Sequence, residues 1–141
     1  MTETARQLDL FNTTSLNPTY AIKRQIRFGL AEASKRGLSR DQVADMMSEV
    51  MASEGMHKKV TRAQIDNWSK DSDPARMPSP ACLTVLCRVL KTTAPIQAML
   101  QPLGAGVIGP EEMRVLAWAR AELDKKDATK KARLALEAIG A

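Results

Sequence analysis

Apolar residues recur every three to four positions along most of the chain, which is the period of an α-helix. Ile22, Ile26, Leu30 and Ala33 predict a first helix over about Pro18 to Lys35, with Lys23, Arg24, Arg27 and Lys35 off the apolar stripe and Gly37 as its stop. Ser39 reads as the N-cap of a second helix, with Gln42 three residues on as in a capping box. Val43, Ala44, Met47, Val50 and Met51 carry that helix toward about Ser53, and Gly55 breaks it. Thr61 and Gln64 repeat the capping device before a short third helix, Thr61 to about Lys70, with Ile65 and Trp68 inward. A loop with Pro74, Pro78 and Pro80 follows. A fourth helix is expected over about Ser79 to Lys91, carrying Leu83, Leu86, Val89 and Leu90. A fifth starts near Pro95 with Ile96, Met99, Leu100 and Leu103, and ends at Gly104 and Gly106.

Pro110 suits the first position of a C-terminal helix, and Glu111 and Glu112 suit its positive end. Met113, Leu116, Ala117 and Leu123 form its stripe, Lys125 to Lys131 is strongly charged, and Leu134, Leu136 and Ile139 are apolar again. The pattern fits one long helix or two broken near Asp127. No strand-like alternation competes, so the expected fold is all-α. The expected organisation is a tail over 1–19, a helical domain over 20–106 and a helical extension over 107–141, the last a candidate dimer surface through Leu116, Leu123, Leu134, Leu136 and Ile139.

Composition narrows the picture. With 141 residues, 44% of them hydrophobic, the chain supports one compact domain with arms. Only 4% are aromatic, so the core must come from Leu, Ile, Val, Met and Ala. The Met46, Met47 and Met51 group, Cys82, Cys87 and Trp68 all read as core. Two cysteines five apart in an apolar run are no disulfide framework, and the single His57 is no metal site. No window is apolar enough to span a membrane and the start is no signal peptide, so a cytoplasmic location is expected. No Gly-rich phosphate loop, activated nucleophile or His/Cys/carboxylate set points to an enzyme or a cofactor.

The net charge of +5 favours an anionic partner. The surplus is local: ten Lys and Arg face six Asp and Glu between Tyr20 and Lys70. Within that segment, Leu38 to Met47 resembles the first helix of the helix-turn-helix in the lambda repressor and Cro (XRE-type) family. Val60-Thr61-Arg62-Ala63-Gln64-Ile65-Asp66-Asn67-Trp68 resembles its recognition helix, and Pro78-Ser79-Pro80 with Leu83, Leu86 and Leu90 its fourth helix. The resemblance implies a five-helix DNA-binding bundle over about Ile22 to Leu103. It implies that Thr61, Arg62, Ala63, Asp66 and Asn67 face the major groove, with Arg62 suited to guanine and Asn67 to adenine. Arg40 stands where the family places a phosphate contact, and Lys58 and Lys59 are placed to neutralise phosphates. One departure stands out: Ser48 to Val60 separates the two helices, about ten residues more than the usual turn. A second helix lengthened by two turns or more would accommodate it.

The tail carries Gln7-Leu8-Asp9-Leu10-Phe11. This run resembles, at all five positions, the peptide by which bacterial polymerases and repair proteins hold the DNA sliding clamp. Such a peptide relies on a few anchors: Leu10 and Phe11 for an apolar pocket, Gln7 at its rim, Leu8 in a second hollow and Asp9 toward solvent. Thr13, Thr14, Ser15, Asn17 and Pro18 would serve as its linker. The other reading is that Leu8, Leu10 and Phe11 pad the chain's own core. Three functions follow: a sequence-specific regulator of the phage or mobile-element kind, binding double-stranded DNA as a homodimer; a replication or repair accessory factor recruited by the clamp; or a helical adaptor that binds protein alone.

Overall fold

The computed structural model describes residues 16–140, and these are all-helical, with no strand among them. They form α1 (Thr19–Lys35), α2 (Arg40–Ser53), α3 (Arg62–Ser69), α4 (Pro80–Leu90), α5 (Ala94–Leu100) with a 3-10 turn (Gln101–Leu103), and α6 (Pro110–Gly140). The chain divides after Val107 into two units.

Local chemistry fixes the helix ends of the first unit. Ser39 accepts from the Gln42 amide at 3.2 Å while its own N–H donates to Gln42 Oε1 at 2.8 Å. Thr61 and Gln64 make the same reciprocal pair at 3.3 and 3.0 Å. Each device supplies partners for amides that the first helical turn leaves unpaired. Gly37, at φ +87°, ends α1: its amide reaches Ser34 O and that of Leu38 reaches Ala33 O. Gly55, at φ +74°, ends α2 in the same way through Ala52 O and Met51 O.

The core is aliphatic. Ile22, Ile26, Leu30 and Ala33 of α1 pack with Val43, Ala44, Met47 and Met51 of α2, Ile65 and Trp68 of α3, and the inner face of α4. Helix α1 packs chiefly on α5, α4 lies against α1, α2 and α5, and α3 rests on α1 and α2. Met46 departs from expectation. It is 38% exposed, whereas Met47 and Met51 are buried, because one position along a helix turns a side chain by about 100°. Cys82 and Cys87 are buried and free, and burial pushes the Cys87 thiol up, against a smaller opposing effect of a backbone hydrogen bond with Ile96.

The long insertion resolves into two parts. Helix α2 runs through Ser48–Ser53, about one and two-thirds extra turns rather than two or more. Residues 54–61 then form a connection whose far end is tied back to α2. The Ser48 hydroxyl accepts from the Val60 amide at 3.0 Å, with the carbonyls of Ala44 (2.9 Å) and Val60 (3.2 Å) as acceptors within its reach. Val60 itself is buried.

The second unit is one continuous helix, with no break at Asp127. None of its described residues is buried, and Leu116, Trp118, Leu123, Leu134, Leu136 and Ile139 are all exposed.

Candidate nucleic-acid interface

Helix α3 has eight residues, too short to persist on its own in water. Packing holds it in place. Ile65 is fully buried and Trp68 nearly so, and each such side chain contributes roughly 1.5–3 kcal/mol. Cations from α1 complete the attachment. Lys23 Nζ donates to Asn67 O at 2.8 Å, to Arg76 O at 2.9 Å and to Trp68 O at 3.4 Å. One turn along α1, Arg27 donates to Ser69 O at 2.8 Å and to Asp71 at 2.7 Å. The last three carbonyls of α3 therefore face two positive charges, at the end where its dipole is negative.

Lys23 corrects a sequence expectation. The helical period sets it off the apolar stripe, yet its side chain is completely buried. Burial holds its pKa below the usual lysine value; Asp73 and Asp71 act in the opposite direction, while Arg27 and Lys70 lower it slightly further.

The opposite end of α3 is open. Thr61, Arg62 and Ala63 are exposed, Asp66 and Asn67 are half-buried, and Ile65 and Trp68 face the core. The Thr61 hydroxyl is engaged in the cap, and the Asn67 carbonyl is engaged by Lys23. Arg62 lies 3.0 Å from Asp41 and 3.9 Å from Asp66. Arg40 donates to Asp66 at 2.7 Å and to Ser69 Oγ at 3.1 Å. The charge run Asp41, Arg62, Asp66, Arg40 thus joins the first turn of α2 to α3. Three of the expected residues, Arg40, Arg62 and Asp66, come together there. Lys58 and Lys59 lie on the connection, exposed and without an ion pair among the described residues. Gln7, Leu8, Asp9, Leu10 and Phe11 lie outside the described residues.

The basic surplus of 20–70 is thus smaller at the surface than on paper. Lys23 is buried, and Arg27, Lys35, Arg40 and Arg62 each have a carboxylate partner. Arg36 donates to Leu90 O at 3.4 Å. Arg24, Lys58, Lys59 and Lys70 remain exposed with no ion pair among the described residues. Sequence reading missed Asp41 and Ser69 as members of this cluster, and Lys23 and Arg27 as its support. It also passed over Tyr20 and Phe28, which are exposed on α1 at four residues either side of Arg24.

What this cluster can do follows from its exposure. The side chains of Arg62 and Asp41 are 56% and 63% exposed. An ion pair this wet is worth about 0–1 kcal/mol, so Arg62 can exchange Asp41 for another anion at little expense. The arrangement is a helix with a rigid inner face and tail-end anchors, and an outer N-terminal turn with one exchangeable guanidinium. No family model, curated protein or solved structure matches this chain.

Proposed function

We propose that the chain binds double-stranded DNA through α3, in sequence-specific fashion, as a regulator of transcription without catalytic activity. The observation that carries the reading is the two-sidedness of α3: Ile65 and Trp68 locked inside, Thr61, Arg62 and Ala63 exposed, with Arg62 in a solvent-exposed pair with Asp41. A recognition helix needs that division, because base edges are read only by side chains that the core does not hold. Arg62 is suited to guanine or to phosphate. Asn67, half-buried, reaches a base only if it lies at the edge of the footprint. Lys58 and Lys59 supply phosphate contacts, and Arg40, held by Asp66, acts mainly to position α3. Two copies paired through α6 would match two half-sites.

Selection of bound fragments from a random duplex pool tests this directly. A recovered motif, lost on Arg62→Ala with folding intact, supports the reading; recovery of no enriched sequence contradicts it. A second reading, recruitment by the sliding clamp, rests on the five-residue match at Gln7–Phe11. It adds a contact and leaves the α3 role unchanged. Clamp capture that survives Leu10→Ala combined with Phe11→Ala would refute it.

A further inference from the structure

Resting on the DNA-binding reading above, we infer that Asp41 restrains DNA affinity, an anion that answers Arg62 in the free protein and penalises every duplex equally. Three observations carry the inference. Arg62 sits at the first position of α3, where the helix dipole repels a cation, so an anion beside it is favoured. Asp41 stands in the first turn of α2, where the helix dipole favours a negative charge. The pair is 3.0 Å apart and the most exposed of the three ion pairs in the cluster, whereas Arg40 and Asp66, at 37% and 42% exposure, are further tied to buried Ser69. Arg62 is therefore the arginine that exchanges, and Asp41 the carboxylate left behind.

The consequence is a lower affinity for every duplex. When Arg62 turns to a phosphate or a base, Asp41 remains within a few ångströms and repels the backbone. That repulsion is the same for all sequences. A site that gives Arg62 a bidentate partner binds in spite of it, because that contact is the stronger one. Removing the charge should strengthen binding to random and selected duplex by about the same factor.

The test is a salt titration of the full chain on a labelled random-sequence duplex and on the selected one, comparing wild type, Asp41→Asn and Asp45→Asn. Asp45 is exposed one turn further along α2 and makes no ion pair among the described residues, so it controls for net charge. Asp41→Asn is expected to tighten binding to both duplexes about tenfold and Asp45→Asn about twofold or less, from the distance dependence of charge repulsion. The salt slope of Asp41→Asn should steepen by about one, since the Arg62 charge, no longer offset by Asp41, then releases one more counterion from the DNA. Equal shifts from both variants, or weaker binding by Asp41→Asn, overturn the inference while leaving DNA binding standing. Absence of binding by all three proteins at low salt overturns the DNA-binding reading and this inference with it. Thermal unfolding of each variant confirms that the chains compared are folded.

Discussion

Lys23 shows how one side chain sets the position of α3. Its ammonium reaches three carbonyls from inside the bundle, and no apolar replacement can do so. Lys23→Met should lower the unfolding free energy by about 2–4 kcal/mol in denaturant titration, since each buried carbonyl left unpaired costs about 1–3 kcal/mol and some will find water. The pH dependence has a definite sign. The folded state holds the Lys23 proton less tightly than the unfolded chain does, chiefly because of burial. Stability therefore rises with pH between the lowered folded value and the ordinary lysine value, and that component should vanish in Lys23→Met. Lys91 illustrates a small local strain. It ends α4 at φ +55°, in the left-handed region, where a side chain is disfavoured. Lys91→Gly should raise stability by about 1 kcal/mol, read from the same titration.

At the scale of elements, the connection before α3 depends on Ser48. Its hydroxyl is the partner of the buried Val60 amide, so Ser48→Ala should cost about 1–3 kcal/mol and speed hydrogen exchange at Val60. Much at this scale was legible in the sequence. The caps at Ser39 and Thr61 each depend on a residue three positions on, and the breaks at Gly37 and Gly55 on a backbone that glycine tolerates. Such signals are local, and periodicity supplies the faces between them. The rest was hidden because it depends on pairs far apart in sequence. Asp41 meets Arg62 across 21 positions, and Lys23 meets Asn67 across 44. A lysine beside an apolar stripe has the same pattern whether it enters solvent or caps a distant helix. The same blindness inflated the positive surface, because sequence counts charges without their partners.

At the scale of the whole molecule, every buried residue among those described lies at or before Ala98, and α6 contributes none. A chain ending at Val107 should therefore unfold with the full chain's free energy to within about 0.5 kcal/mol, the range of changes that touch no buried feature. Helix α6 poses the converse problem. Thirty-one residues with Leu116, Leu134, Leu136 and Ile139 in water form a marginal helix and an apolar surface that favours association. Pairing with a second copy would make its helix content rise with protein concentration. A peptide of residues 108–141 whose circular dichroism is independent of concentration would remove α6 as the dimer surface.

The central claim is that α3 and the lysines before it meet DNA. Fluorescence anisotropy of a selected duplex, titrated with the full chain across a range of salt, tests it most directly. Log affinity should fall linearly with log salt, and the slope should become shallower by about one in Lys58→Ala and in Lys59→Ala. Arg62→Ala should weaken the selected duplex by about 1–3 kcal/mol and random duplex far less. A slope and an affinity that none of these three substitutions alters would place the contact elsewhere and contradict the account.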